Sequence, residues 1–150
     1  MGMKIALACD HGGYALKAKI SGWLQEAGHE VLDFGCFGTE SVDYPDYALP
    51  AAQAVAGGEA DRAVVLCTTG IGVSISANKV KGVRCALCAD TMTARMTREH
   101  NDTNALAMGA GVVGENLAKE ILFTWLDTPF SGAARHQRRI DKISAYESQT

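Results

Sequence analysis

The sequence predicts an α/β fold, a three-layer α/β/α sandwich built around a five-stranded parallel sheet. Short apolar runs alternate along the chain with longer amphipathic segments, which is the pattern of successive strand–helix units in a parallel sheet. The connections between the strands are expected to be right-handed crossovers. At 150 residues the chain is long enough for one domain, residues 1–150, with a core of its own.

Each strand is predicted from a short apolar run and each helix from an amphipathic segment. The predicted strands are Lys4–Cys9, Glu30–Phe34, Arg62–Cys67, Val83–Ala89 and Ala105–Gly109. The predicted helices are Tyr14–Ala27, Tyr47–Ala56, Val73–Lys79, Thr91–Glu99, Glu115–Asp127 and a final one near Gln137–Glu147. In the first helix Leu16, Ile20 and Leu24 recur on one face. Lys17 is expected on the other, polar side, and Gly28 is expected to follow the last turn.

The composition is that of an ordinary globular protein, with 47% hydrophobic and 21% charged residues. A net charge of −3 without a long basic run argues against a nucleic-acid partner. No apolar stretch reaches membrane-spanning length, and the N-terminus lacks the layout of a signal peptide. We therefore expect a cytoplasmic protein with no membrane partner.

The five cysteines are expected to be reduced, because their number is odd and most of them lie in or beside apolar runs. Cys85 and Cys88 form one C-x-x-C motif, which would suit a metal or redox site. Their odd separation on a predicted strand places them on opposite faces of the sheet. We therefore interpret both as small buried hydrophobic residues.

The most informative segment is the end of the third predicted strand, where an apolar run leads into Cys67 and a turn containing Gly70 and Gly72. The carboxyl ends of parallel strands are where ligands bind. A helix N-terminus offers free N–H groups that favour a thiolate and bind an oxyanion. Ile75 replaces the third glycine of a dinucleotide motif, which argues against a nucleotide site. By position alone, however, a strand-end cysteine is more often a packing residue than a catalyst.

Polar, titratable residues also gather around other strand ends. Asp10 follows the first strand and could simply cap the first helix. His100 lies in a polar segment before the fifth strand. Arg135 and Arg139 share one helix face, where surface ion pairs are the commoner role. Spacing alone therefore leaves the function open.

Taken together, motifs along nearly the whole chain resemble the ribose-5-phosphate isomerase B family. They are Cys9-Asp10-His11-Gly12, Asp43-Tyr44-Pro45, Cys67-Thr68-Thr69-Gly70-Ile71-Gly72-Val73-Ser74-Ile75-Ser76-Ala77-Asn78-Lys79, Gly82-Val83-Arg84, His100-Asn101-Asp102-Thr103-Asn104 and Arg135-His136-Gln137-x-Arg139. The wider family includes galactose-6-phosphate and allose-6-phosphate isomerases.

The resemblance implies a Rossmann-like fold and an aldose–ketose isomerase that needs neither a cofactor nor a metal. The implied reaction interconverts ribose 5-phosphate and ribulose 5-phosphate, as in the pentose phosphate pathway, through a cis-enediolate. The implied assembly is a homodimer with active sites at the subunit interface, and a tetramer remains open. Which subunit supplies His100 to a given site is also open.

The resemblance also implies a role for each matching residue. Cys67 would be the base that moves a proton between C1 and C2, with Thr69 beside the developing oxygens. His100 would open the sugar ring together with Asp10. The remaining residues would bind the substrate, with the histidine and both arginines on the phosphate: His11, Tyr44, Thr68, Gly70, Ile71, Gly72, Ser74, Asn101, Arg135 and Arg139.

Two departures from the family pattern fall at the phosphate end. Gly111 stands where many members carry an arginine, and Gly132-Ala133-Ala134 replaces the usual Gly-Gly before Arg-His. These changes keep other substrates open: a tetrose 4-phosphate, allose 6-phosphate or galactose 6-phosphate. The rival class is a sugar-phosphate-binding module without catalysis, which would have no need of a base such as Cys67.

Overall fold

Five parallel strands form one sheet in the computed structural model, which describes residues 2–149. The strands are β1 (Lys4–Cys9), β2 (Glu30–Gly35), β3 (Arg62–Cys67), β4 (Cys85–Leu87) and β5 (Ala105–Gly109), in the spatial order β2-β1-β3-β5-β4. The helices are α1 (Tyr14–Glu26), α2 (Pro45–Ala56), α3 (Ile71–Asn78), α4 (Thr91–Asn101), α5 (Glu115–Asp127) and α6 (Ala134–Glu147). A single 3₁₀ turn, His11–Gly13, precedes α1. The predicted α/β fold with a five-stranded parallel sheet is confirmed.

Helices cover both faces of the sheet because the strand residues alternate in size. On β1, Ile5 and Leu7 belong to a core of large side chains that includes residues of α1 and α5. Ala6 and Ala8, on the other face, belong to a second core rich in alanine and valine, which includes residues of α2 and α3. Small side chains on that face allow α2 and α3 to lie close to the sheet, so the turn before α3 is held firmly.

The edge strand β4 is shorter than the predicted Val83–Ala89. It pairs on one side only, with β5, from Cys85 to Leu87. Before β4, the N–H of Val83 donates to the carbonyl of Val80 in a turn (3.1 Å). Val83 therefore lies outside the strand, although it belongs to the same apolar run. Cys88 packs in the large-side-chain core and Cys85 against the alanine-rich one. The predicted placement of the two cysteines on opposite faces is therefore confirmed.

Lys17 corrects the amphipathic interpretation of α1. It was predicted on the polar side of the helix, yet it is 4% exposed. Its Nζ lies 2.7 Å from both carboxylate oxygens of Asp33 on β2. Asp33 also accepts the N–H of Gly35 (2.9 Å). Lys17 is buried because α1 packs over this carboxylate, which the helical pattern of α1 alone could not indicate.

The other helix boundaries differ by a few residues from those predicted. α2 begins at Pro45 rather than Tyr47, because proline is well suited to the first position of a helix. Gly28 follows α1 with a φ of 90°, as predicted for the residue after the last turn. No helix among residues 2–149 combines the length and apolar character needed to cross a membrane.

The large-side-chain core should dominate stability. Ile121 on α5 is fully buried, so Ile121→Ala is expected to lower the free energy of unfolding by about 2–5 kcal/mol. The neighbouring exposed residue gives the control: Glu120→Ala should change it by less than about 0.5 kcal/mol. Chemical denaturation followed by circular dichroism measures both. Equal, small effects of the two variants would contradict this assignment of the core.

Candidate active site

Cys67 is the last residue of β3, which lies beside the point where the order of the strands reverses. From β1 the chain goes to β2 on one side, and β3 then pairs with β1 on the other side. The crevice at such a switch point, outside the carboxyl ends of the strands, is the usual ligand site of open α/β sheets. Asp10, directly after β1, and Cys67, at the end of β3, stand on its two sides.

A cavity of about 400 Å³ opens at this point. Its lining residues are Asp10, Tyr44, Cys67, Thr68, Thr69, Ile71, Gly72 and Ile75. All of them except Ile75 were predicted from the sequence as site residues. The volume lies within the range of small-molecule sites in proteins.

The turn after Cys67 directs backbone donors toward the cysteine and Thr69. The N–H of Gly70 donates to the Cys67 sulfur (3.1 Å), and the N–H of Ile71 donates to Thr69 Oγ1 (3.2 Å). In the first turn of α3, the N–H groups of Gly72 and Val73 have no acceptor within the helix. The site can therefore bind an oxyanion beside the Cys67 sulfur.

Glycine is required in this turn by its packing. Gly70 has a φ of 80°, a left-handed conformation. A Cβ at this position would lie 2.8 Å from the carbonyl carbon of Met108 and 2.9 Å from the nitrogen of Gly109. A Cβ on Gly72 would collide with the ring of Tyr44. The loop before α2 and the ends of β4 and β5 therefore converge on the turn with no room for a side chain.

Asp10 both caps a turn and lines the cavity. It is 7% exposed, and its Oδ1 accepts the N–H of Gly12 (2.9 Å). Asp10 therefore caps the 3₁₀ turn, whereas α1 itself begins after Gly13 without a side-chain cap, so the capping prediction is corrected in position. Asp10 also lines the cavity. His11 is exposed outside the cavity lining and accepts the N–H of Val42 at Nδ1 (3.2 Å). That bond ties the loop after β1 to the loop before α2.

Four predicted site residues lie on the side of the sheet where the strands begin, away from Cys67: His100, Asn101, Arg135 and Arg139. Because all five strands are parallel, α4 starts near the carboxyl ends of the strands and finishes near their amino ends, where β5 begins. His100 and Asn101 occupy the last turn of α4. Arg135 and Arg139 lie in the first half of α6, which contacts α4. One chain therefore does not bring these residues to Cys67.

Asn101 lines a separate cavity of about 580 Å³ along the edge strand β4, together with Arg84. Its side-chain oxygen accepts the hydroxyl of Thr97 (3.1 Å). Ser74, also predicted to bind substrate, lies on α3 four residues after Gly70. In this chain, neither side chain is among those that line the cavity at Cys67.

Two residues next to predicted site residues were given no role from the sequence. Ile75 lines the cavity, and its position four residues after Ile71 on α3 could have indicated this. His136 contacts the ring of His100, with ring centroids 4.3 Å apart. No local pattern could show that contact, because it depends on how α6 packs on α4.

Burial disfavours the thiolate form of three of the other cysteines. Burial, reinforced by the neighbouring Cys36, raises the pKa of Cys9 to about 12. Burial also raises the pKa of Cys85 to about 12 and that of Cys88 above its usual range. These three thiols remain protonated at neutral pH and cannot act as bases. Among residues 2–149, no three histidine, cysteine or acidic side chains are grouped as a metal site would require.

Gly111, which replaces the arginine expected from the resemblance, borders the cavity. Its N–H donates to the carbonyl of Thr68 (2.8 Å), and a Cβ there would lie 3.0 Å from the Thr68 methyl group. A side chain at position 111 would therefore press on Thr68, which forms part of the cavity wall.

Comparison with known proteins gives a consistent result. The family model described as Ribose/Galactose Isomerase matches residues 5–143. The chain belongs to the ribose/galactose isomerase family. It is therefore an enzyme, and the resemblance found in the sequence is confirmed.

Individual members of the ribose/galactose isomerase family match over almost their whole length. Ribose-5-phosphate isomerase B of Escherichia coli is 48% identical, with 97% of each chain covered. The structure of ribose-5-phosphate isomerase B from Clostridium thermocellum superposes with a TM-score of 0.96, at 53% identity and with 98% of this chain and 99% of that chain covered. The D-erythrulose-4-phosphate isomerase of Pectobacterium atrosepticum is 41% identical, over 98% of this chain and 97% of its own.

The Gly70 turn gives a direct test of this geometry. Gly70→Ala forces a left-handed alanine against the end of β5, so the free energy of unfolding should fall by at least about 1–2 kcal/mol. Gly22→Ala, in an exposed part of α1 with no atom within 4 Å of the new Cβ, should instead stabilise by about 0.5–1 kcal/mol. Denaturant titration measures both variants. A Gly70→Ala protein as stable as the parent would show that the turn is not constrained as described.

Proposed function

We propose that this enzyme interconverts ribose 5-phosphate and ribulose 5-phosphate without a cofactor, with Cys67 as the base. The observation that carries this proposal is the Cys67 sulfur in a cavity at the switch point, where it accepts the N–H of Gly70 at 3.1 Å. The relatives named ribose-5-phosphate isomerase B support the choice of substrate. A mere binding module would need no such sulfur.

The reaction moves one proton between two carbons. In the open-chain aldose, the Cys67 thiolate takes the proton from C2, and the electron pair moves toward the C1 carbonyl oxygen to give a cis-enediolate. The same thiol then returns the proton to C1, a proton passes from the C2 hydroxyl to the C1 oxygen, and the oxygen on C2 becomes the ketone. Thr69 and the donors at the start of α3 would stabilise the enediolate oxygens. One such donor typically contributes about 10²–10³ in rate.

Ring opening needs a separate acid and base, because ribose 5-phosphate in solution is largely cyclic. Asp10 lines the cavity and would act on one side of the sugar. His100, with an exposed imidazole at the end of α4, would act from the other side. An imidazole suits this step, since it both accepts and donates a proton near neutral pH. Tyr44, Thr68 and Asn101 would contact the sugar hydroxyls.

Because Cys67 lies at the carboxyl ends of the strands and His100 near their amino ends, we propose a homodimer in which each site combines residues of both chains. Exposed apolar side chains support this proposal. Ile71 and Ile75, which line the cavity, are 53% and 56% exposed, and Val112, in the loop after β5, is 61% exposed. Exposed apolar side chains at the mouth of a cavity favour a protein–protein contact there.

In the proposed dimer the phosphate would be bound across the interface. His11 would contribute from the chain that holds the cavity, and Arg135 and Arg139 would contribute from the second chain. Guanidinium groups suit this task because they donate two parallel hydrogen bonds to phosphate oxygens.

A second substrate is favoured by one observation. Gly111 contacts Thr68 in the cavity wall, and it lacks the cationic side chain that the family resemblance implies at this position. The relative named D-erythrulose-4-phosphate isomerase shows that the family includes an enzyme with a shorter sugar phosphate. The same chemistry on a tetrose 4-phosphate is therefore the alternative.

An isomerase assay tests the proposal. Ketose formation is measured with ribose 5-phosphate, erythrose 4-phosphate and allose 6-phosphate, for the wild type, Cys67→Ala and the control Cys88→Ala. We expect turnover of ribose 5-phosphate to fall about 10²–10⁴-fold in Cys67→Ala, with sugar-phosphate binding retained, and to change little in Cys88→Ala. Turnover of erythrose 4-phosphate alone would support the alternative. Wild-type turnover by Cys67→Ala would refute the proposed base.

Subunit mixing tests whether the site is shared. Cys67→Ala and His100→Asn should each be inactive toward ribose 5-phosphate as homodimers. After subunit exchange, the mixed dimer contains one site with both residues intact, so activity should return to about one quarter of the wild-type value. In the control mixture, Cys67→Ala with Asp10→Asn, both changes affect the same cavity and no activity should return. Recovery in neither mixture would contradict a site built from two chains.

A further inference from the structure

His136 is a buried imidazole that the proposed mechanism does not use. Its side chain is 6% exposed, whereas the neighbouring Arg135 and Gln137 on α6 are exposed. The buried residues of α6 are His136 and Ile140, one turn apart. An apolar residue would fill this position without a polar atom to satisfy, so the imidazole calls for an explanation.

The ring of His136 lies directly against the ring of His100. The centroids are 4.3 Å apart and the ring planes are inclined by 37°. His100 is otherwise an exposed side chain in the last turn of α4. A contact with a buried ring restricts the positions that such a side chain can adopt.

Ser131 fixes His136 in turn. Ser131 Oγ lies 2.7 Å from His136 Nδ1 and accepts the N–H of Ala133 (3.1 Å). The N–H of Ser131 donates to the carbonyl of Glu99 (3.2 Å), directly before His100. The segment between α5 and α6 is therefore tied to the end of α4 and holds the buried ring by a side-chain hydrogen bond.

Burial and the surrounding charges disfavour the protonated form of His136. Burial lowers the pKa of His136, and Arg135, His100 and Arg139 lower it further, while Glu99 acts in the opposite direction. As the pH falls, His136 is therefore expected to take up its proton after an ordinary exposed histidine does.

We propose that His136, anchored by Ser131, is a positioning residue that holds the His100 imidazole in place for ring opening of the sugar phosphate. This inference rests on the proposed function, since it assigns His136 to the ring-opening step and not to proton transfer by Cys67. The catalytic residue remains His100, and His136 acts through it.

Three variants separate the features of His136. His136→Asn keeps a group that can hydrogen-bond to Ser131 but loses the ring. His136→Phe keeps a ring against His100 but loses the hydrogen bond. Ile140→Ala removes a buried side chain from the same face of α6 and serves as the packing control.

Two substrates separate ring opening from proton transfer. Ribose 5-phosphate forms a furanose ring, whereas ribulose 5-phosphate cannot close one because its C5 oxygen carries the phosphate. Net turnover of ribose 5-phosphate requires ring opening. Exchange of a C1 proton of ribulose 5-phosphate with deuterated solvent requires only the base.

We expect kcat for ribose 5-phosphate to fall about tenfold to a hundredfold in His136→Asn, with KM and solvent exchange into ribulose 5-phosphate changed by less than about twofold. His136→Phe should retain more turnover than His136→Asn, and Ile140→Ala should lose stability but retain kcat. An equal loss of turnover and exchange in His136→Asn would mark a general structural defect and overturn the proposal. Unchanged turnover in His136→Asn would also overturn it.

An NMR titration of the histidine ring signals provides a readout that does not depend on activity. In the wild type, His136 should titrate below the usual range of a histidine, and its midpoint should rise in His100→Asn, which removes the neighbouring imidazole. A His136 midpoint that stays the same in His100→Asn would contradict the pairing. A wild type that neither isomerises ribose 5-phosphate nor exchanges ribulose 5-phosphate would refute the proposed function itself, whatever the titration shows.

Discussion

The hydrogen bond from the Gly70 N–H to the Cys67 sulfur is the interaction on which the candidate site depends. It exists because Gly70 adopts a left-handed conformation between β3 and α3. The turn packs on the backbone of Met108 and Gly109 at the end of β5, so its shape is imposed by the centre of the sheet. A loop held this way directs its donors without first having to be ordered by substrate, which is the condition for effective stabilisation of developing charge.

The direction of the strands imposes a second constraint. In a parallel sheet, the loops that follow the strands lie at the carboxyl ends of the strands, and the helix ends that precede the strands lie at their amino ends. Cys67 and Asp10 belong to the first group and His100 to the second. In the proposed dimer, these groups meet only across the interface, so assembly and catalysis are linked. The ring contact between His100 and His136 then prepares the second group before the chains associate.

The parts of the fold that are determined by local patterns could be predicted from the sequence. The bounds of β1, β3 and β5 agree with the structure because each is a continuous apolar run paired along its length. The predicted β4 was too long because the length of this strand is set by its pairing with β5 on one side and not by the length of the apolar run. Lys17 was predicted incorrectly because its ion pair with Asp33 joins α1 to the next strand, β2, 16 residues further along the chain. Neither partner shows this in its own segment.

The candidate site follows the same division. The residues after β1 and β3 could be predicted, because strand ends are easy to recognise and parallel strands bring them together. The separation of His100 from Cys67 also follows from topology, since the segment before β5 must lie at the other edge. The role inferred for His136 could not be derived from the sequence, because burial of that ring depends on the packing of α6 on α4.

The central claim is that the Cys67 sulfur carries the proton between C1 and C2. Isomerisation in deuterated water, followed by NMR of the sugar carbons, tests this claim most directly. The wild type should incorporate solvent deuterium at the carbon that receives the proton, and Cys67→Ser should lose both incorporation and turnover while still binding the sugar phosphate. Incorporation at the wild-type rate in Cys67→Ser would show that another group is the base and would contradict the account.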